Sequence, residues 1–84
     1  MTNTKEKIER ILDVSNLPCP IPAMRTRLEI KKISPGGILK VIATSDETHT
    51  TIPRFCEKNQ HKLLLNFDEN QKHIFIIQRN PEEI

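Results

Sequence analysis

Residues 17–37, LPCPIPAMRTRLEIKKISPGG, place one cysteine between prolines and continue into a run of helix-forming residues that a turn-forming sequence ends. Each proline fixes its own φ at about −65° and disfavours the α region for the residue before it, so Cys19 has a narrow conformational range. Pro20 to Ile33 predicts the first helix, because Ser34-Pro35-Gly36-Gly37 then stops it. The stretch therefore predicts a loop that presents a thiol at the start of a helix.

The apolar residues of this predicted helix lie on two nearly opposite faces. One face holds Ala23, Thr26, Ile30 and Ile33, and the other holds Ile21, Met24 and Leu28. The second face is either the core face or an exposed docking surface for a partner protein, to which the neighbouring Arg25 and Arg27 would belong. Burial of Ile30 and Ile33 would favour docking. For each arginine, an ordinary solvated helix surface is the competing interpretation.

Strand patterns flank this helix on both sides. RILDVS (10–15) alternates as a short half-buried strand does, and ILKVIATS (38–45) is the β-branched run of a central strand. A second helix is predicted over Ile52–Asn59, with Pro53 in its first turn and Thr51 as the candidate cap.

The last two apolar runs predict a hairpin. KLLLNFD and KHIFIIQR flank residues 69–71, with inward-facing side chains predicted at Leu63, Leu65, Phe67, Ile74 and Ile76. The order β-α-β-α-β-β predicts an α+β fold, a two-layer α/β sandwich with two helices on one face of a four-stranded mixed sheet. We expect one domain at residues 10–80, a flexible leader at 1–9 and a tail at 81–84.

Composition narrows the functional classes. The net charge of +2 arises from acids and bases mixed along the chain, so no concentrated basic face points to nucleic acid. The charged start lacks the apolar segment of a secretory signal, and no run is long enough to span a membrane, which favours the cytoplasm. In that reducing compartment Cys19 and Cys56 are expected to be free thiols.

The position of Cys19 at the start of the predicted helix suggests that its thiol is reactive. If the helix begins at Pro20, Cys19 is its N-cap, where unpaired amides and the helix dipole favour a thiolate. Pro18 shapes the loop, and Pro20 and Pro22 fit the first turn because their missing N–H groups would have no partner there. The alternative is a small buried cysteine without reactivity.

The stretches LDVSNLPCPIPAMRTRLEIKKISPGGILKVIATSD (12–46) and IPRFCEKNQHKLL (52–64) resemble the TusA/SirA family of small sulfur-carrier proteins. The family hallmark is a CPxP motif after a short strand, here residues 19–22, and the likeness extends over about residues 12–79. The resemblance implies a β-α-β-α-β-β sandwich and a sulfurtransferase that carries sulfane sulfur as a persulfide on Cys19. It also implies a cysteine desulfurase as donor and a downstream relay protein, with tRNA served only indirectly, through 2-thiouridine synthesis or a related pathway.

Three positions depart from the family pattern. Asn16 stands where a glycine commonly precedes the motif, and asparagine tolerates a similar left-handed backbone. Thr51 replaces a common acidic residue before Ile-Pro, and Glu47 replaces a proline. These changes bear on partner choice more than on chemistry.

Other candidate residues have ordinary interpretations. Cys56 could be a resolving thiol, but its apolar neighbours favour a core position. His49, His61 and His73 lack the spacing of recognisable zinc sites, so no metal is predicted. No phosphate loop supports a nucleotide cofactor, and none is expected. The alternative to a persulfide carrier is a non-catalytic interaction or regulatory module of the same fold.

Overall fold

The computed structural model describes residues 8–81, in which four strands and two helices follow the predicted order. The elements are β1 (Ile8–Val14), α1 (Ile21–Ile30), β2 (Ile38–Ala43), α2 (Thr48–Lys58), β3 (Lys62–Glu69) and β4 (Lys72–Gln78). Neither helix in this part of the chain has the length and apolarity needed to cross a lipid bilayer. Most of the predicted leader and tail lies outside the described residues, but Ile8 and Glu9 of the leader belong to β1.

The strands form one mixed sheet in the order β1-β2-β4-β3. β1 and β2 are parallel, because α1 carries the chain back across the sheet, and the other two pairs are antiparallel. Both helices pack on one face. The predicted α+β sandwich is confirmed.

The main core lies between the helices and the sheet. It joins buried residues of both helices and the central strands, including Ile30, Val41, Ile52, Phe75 and Ile77. A smaller cluster of Ile38, Ile74 and Ile76 lies on the opposite face of the sheet. Alternate residues of β2 and β4 thus face two apolar environments, which explains why both strands are nearly continuous apolar runs.

The prediction that three apolar residues of β3 share one inward face is wrong. A register shift separates Leu63, opposite Ile77, from Leu65, opposite Ile76. One extra residue reverses the side to which the following side chains point. Leu63 therefore packs against the main core, while Leu65 and Phe67 lie on the other face, 48% and 38% exposed. Ile74 and Ile76, which are also predicted to face inward, are buried, but in the smaller cluster on the face away from the helices; Phe75 and Ile77 are the residues of β4 in the main core.

The second helix begins at Thr48, four residues before the predicted start, so Pro53 lies inside it and not in its first turn. Its missing amide leaves the carbonyl of His49 without the usual helical donor. The amide and hydroxyl of Thr48 both donate to the carbonyl of Ser45, and Thr48, Ile52 and Cys56 form one buried stripe. Burial of these three residues stabilises the helical turn that precedes Pro53, so the helix begins earlier than predicted.

The first helix is shorter than predicted and ends at Ile30. The guanidinium of Arg79 donates to the carbonyls of Lys31 and Ile33, at 3.4 and 2.5 Å, and so satisfies groups just beyond the helix end. Gly36 has a φ of +82°, which completes the predicted turn. The predicted hairpin forms, but Glu69 belongs to β3 and not to the connection. The turn is therefore Asn70 and Gln71, whose φ values of 53° and 65° are those that a type I′ turn requires.

Candidate functional site

The loop that holds Cys19 joins β1 to α1, at the edge of the sheet where the parallel strands β1 and β2 end. The amide of Ser15 donates to Asp13 Oδ1 at 2.9 Å, and the amide of Leu17 donates to the carbonyl of Val14 at 3.3 Å. The amide of Asn16 donates to Thr44 Oγ1 at 2.7 Å, which ties the loop to the end of β2. Local and tertiary hydrogen bonds together fix the chain just before the cysteine.

Asn16 has a φ of +66°, in the left-handed region. Asparagine adopts this region at lower cost than most residues, although glycine is freer still. The expectation that Asn16 supplies the backbone geometry of the usual glycine is confirmed.

Helix α1 begins one residue later than the N-cap prediction for Cys19 requires. Pro20 is the N-cap, Ile21 is the first helical residue, and Cys19 precedes them with a cis peptide bond to Pro20. The amides of Ile21 and Met24 donate to the carbonyls of Pro18 and Pro20. Because two prolines supply no amide, the helix start offers few donors to the sulfur.

The three loop prolines differ in burial. Pro18 and Pro20 are exposed beside the cysteine, whereas Pro22 is buried. The buried hydroxyl of Thr26 donates to the carbonyl of Pro22 at 2.7 Å. Pro22 therefore anchors the helix start in the core, and Pro18 and Pro20 frame the thiol at the surface.

The two free cysteines lie in different surroundings. Cys19 is partly exposed, while Cys56 is 2% exposed and belongs to the main core. Burial raises the pKa of the Cys56 thiol to about 12. The predicted core position of Cys56 is confirmed, and Cys19 is the accessible thiol.

An apolar stripe continues from the cysteine along α1. Ile21 is half-buried, and Met24 and Leu28 are each 56% exposed. Ile30 and Ile33 are buried, at 1% and 3% exposure, which is the observation that favours an exposed second face. Arg25 and Arg27 are also exposed, on either side of this stripe. We call Ile21, Met24 and Leu28 the α1 stripe.

The fold also assembles a cluster that the sequence spacing did not reveal. His49 Nε2 lies 3.7 Å and His73 Nδ1 2.8 Å from Asp68 Oδ1, and His73 Nε2 lies 3.0 Å from Asp46 Oδ1. The hydrogen bond with Asp68 raises the pKa of His73, and lowers the pKa of Asp68. Only the hairpin register, which pairs Asp68 with His73, could have indicated part of this cluster beforehand.

These features define a small α+β sandwich protein with one accessible cysteine on a proline-framed loop. A family model described as sulfurtransferase TusA matches residues 10–79. The chain belongs to the TusA family of sulfur carriers.

Curated relatives agree with this assignment. The chain is 35% identical over 75 residues to the sulfur carrier protein TusA of Pseudomonas paraeruginosa, covering 89% of this chain and 95% of the relative. It is 36% identical over 73 residues to that of Pseudomonas fluorescens, covering 87% and 88%. The family resemblance found in the sequence is confirmed.

A solved structure supports the fold independently. The crystal structure of a SirA-like protein from Desulfitobacterium hafniense superposes with a TM-score of 0.74 at 16% identity, covering 84% of this chain and 97% of that one. At this identity the likeness concerns the fold alone.

Proposed function

We propose that Cys19 accepts sulfane sulfur as a persulfide and passes it to a cysteine of an acceptor protein. The observation that carries the proposal is the partial exposure of Cys19 on its loop, in a TusA-family chain whose other cysteine is buried. A carrier needs one thiol that partner proteins can reach. The buried Cys56 cannot meet that need without local unfolding.

The transfer needs no external oxidant. The Cys19 thiolate attacks the terminal sulfur of a donor persulfide, the donor S–S bond breaks, and the donor cysteine leaves as a thiolate. Cys19 then holds the sulfur as S–SH. An acceptor thiolate attacks this terminal sulfur in turn, and Cys19 leaves as a thiolate, so each step exchanges one S–S bond for another.

The proposed partners follow from this chemistry and from the family. A cysteine desulfurase is the donor, since it forms a persulfide on its own cysteine, and a downstream relay protein is the acceptor. Synthesis of 2-thiouridine in tRNA is the proposed destination, with tRNA reached only through the relay. The cytoplasm is the proposed compartment, because a reducing environment keeps Cys19 free.

The α1 stripe is the proposed surface on which these partners dock. It begins two residues after Cys19 and presents two large exposed apolar side chains, Met24 and Leu28. Apolar patches on small proteins often mark sites of protein contact. Arg25 and Arg27 would add positive charge at the edge of the contact.

Intact-mass spectrometry after incubation with a cysteine desulfurase and cysteine tests the proposal. The wild type should gain about 32 Da, one sulfur atom, and lose it on reduction. Cys56→Ala should behave in the same way, and Cys19→Ala should gain nothing. An unmodified wild type, beside a known carrier that the same enzyme loads, would contradict the proposal.

A second candidate function is a non-catalytic interaction module, which the exposed α1 stripe favours. Such a module needs the stripe but not the thiol. Complementation of a strain that lacks its carrier separates the two functions. If the chain is a carrier, the Cys19→Ser variant should fail to complement the strain. If it is an interaction module, the same variant should still complement it.

A further inference from the structure

The cluster of His49, Asp68 and His73 lies at the same end of the sheet as the Cys19 loop, but apart from it. Val14, Ala43, His73 and Asp68 pair in one row across the four strands. His73 is thus two strands from the end of β1, or roughly 10 Å at the usual strand spacing. The proposed sulfur chemistry makes no use of this cluster.

The side chains come from three elements that the fold brings together. His49 lies in the first turn of α2, Asp68 near the end of β3, and His73 near the start of β4. The two imidazole rings are tilted, with centroids 4.1 Å apart, and the ring of Phe75 lies 6.1 Å from that of His49. An apolar ring therefore adjoins His49, one of the two potential nitrogen ligands.

The separations between the ligand atoms suit a small metal ion. One potential ligand atom from each of the three side chains lies within 4.8 Å of the others. Asp68 Oδ1 lies 2.8 Å from Nδ1 of His73 and 3.7 Å from Nε2 of His49. A tetrahedral zinc ion with bonds of about 2.0–2.2 Å separates its ligands by about 3.3 Å. Small side-chain rotations would bring all three atoms to bonding distance.

Asp46 completes the arrangement from outside. It lies 3.0 Å from Nε2 of His73, the ring nitrogen that faces away from Asp68. Histidine ligands usually donate their second N–H to a carboxylate, which fixes the ring and the tautomer. With Nε2 bound to Asp46, Nδ1 of His73 is the nitrogen available to a metal.

The donor set and its exposure indicate the class of ion. Two imidazoles and one carboxylate suit divalent transition metals, zinc among them, better than calcium or magnesium. The His73 side chain is held at 12% exposure, whereas those of His49 and Asp68 are 42% and 62% exposed. Three protein ligands would therefore leave a fourth position open to solvent.

We propose that His49, Asp68 and His73 form a binding site for a divalent transition metal, with zinc as the expected ion and Asp46 positioning His73. The ion would join the start of α2 to the β3–β4 hairpin. Binding would stabilise the fold, because the unfolded chain does not hold the three ligands together.

Zinc titration of the untagged chain, with a competing chromogenic chelator, tests the site. The parent protein carries Cys19→Ala, so that the accessible thiol cannot bind the ion. We expect one equivalent of zinc to bind and the melting temperature to rise. His49→Gln and Asp68→Asn should each weaken zinc binding at least about tenfold. Loss of a residue that only orients a metal ligand already lowers metal affinity about 10- to 100-fold, so loss of a ligand itself should cost at least as much.

Glu69→Gln is the matched control, since it removes the same charge from the neighbouring exposed residue of the same strand. It should bind zinc as tightly as the parent. Histidine ring NMR gives an independent readout, in which zinc should shift the signals of His49 and His73 but not those of His61. Absence of binding at micromolar concentrations, equal affinity in His49→Gln and the parent, or a shift confined to His61 would each overturn the proposal.

Discussion

The two cysteines show how the fold places the same type of side chain in two different environments. The loop leaves Cys19 partly exposed, and the core holds Cys56 at 2% exposure. Thiolates, not thiols, are nucleophiles, so burial suppresses the reactivity of Cys56 twice, by blocking access and by raising its pKa to about 12.

Alkylation of the folded protein should therefore distinguish the two thiols. Iodoacetamide at neutral pH should modify Cys19 and leave Cys56 unmodified until denaturant is added. Mass spectrometry of quenched samples measures both rates, and Cys19→Ala provides the matched control. Comparable labelling of Cys56 in the folded chain would contradict its place in the core.

The His73 imidazole should titrate above its ordinary pKa of about 6.5 in metal-free protein. Its hydrogen bond to Asp68 is the main cause, and that to Asp46 adds to it. Asp68→Asn should therefore lower the pKa of His73 more than Asp46→Asn does, as histidine NMR across pH would measure. A pKa unchanged by Asp68→Asn would contradict the pairing.

The pairing of His73 with Asp68 also makes the free energy of unfolding depend on pH. The pKa of His73 is raised in the folded state, so its protonation stabilises the fold. This stabilisation is fully present below the pKa that His73 has in the unfolded chain, and it is lost as pH rises through the pKa that His73 has in the folded protein. The pKa of Asp68 is lowered, so its contribution is present above its unfolded pKa and is lost as pH falls through the folded value.

Local sequence patterns predict the type and order of the six described helices and strands but not every boundary. Pro53 and Thr51 suggested a helix start that burial of Thr48 overrides. The register shift in β3 leaves no mark in a run of leucines, so the outward positions of Leu65 and Phe67 could not be predicted. The contact between His49 and Asp68 could not be predicted from the sequence either, because only the tertiary structure brings these two residues together.

The two faces of α1 should differ sharply in their effect on stability. Ile30→Ala removes a side chain that is 1% exposed and should lower the free energy of unfolding by about 2–5 kcal/mol. Leu28→Ala changes a side chain that is 56% exposed and should cost less than about 0.5 kcal/mol. Urea denaturation measures both. A larger loss in Leu28→Ala than in Ile30→Ala would show that the faces are reversed.

The sandwich as a unit places the accessible thiol and the α1 stripe on neighbouring parts of the surface. The sheet buries one side of α1 through Thr26 and Ile30, which leaves Met24 and Leu28 exposed beside the cysteine loop. The family and its fold were recognisable in the sequence because the CPxP motif and the strand patterns are local. The exposed face of α1, on which we propose that partners dock, became distinguishable only when the buried face was known.

Placing a charge on the α1 stripe should slow sulfur loading without unfolding the protein. Met24→Glu should reduce the rate of transfer from a desulfurase by about tenfold or more, as expected when an apolar contact is removed from the centre of an interface. Leu65→Glu is the matched control, because Leu65 is 48% exposed on the opposite face of the sheet. Iodoacetamide should label Cys19 equally in both variants. Equal loading rates would argue against docking on the stripe.

Locating the sulfur after desulfurase loading tests directly whether Cys19 is the carrier residue. Trypsin under non-reducing conditions releases residues 11–25 with Cys19 and residues 55–58 with Cys56, after the persulfide has been capped by alkylation. We expect the capped persulfide on residues 11–25 alone. A persulfide on residues 55–58, or on neither peptide when the desulfurase is active, would contradict it.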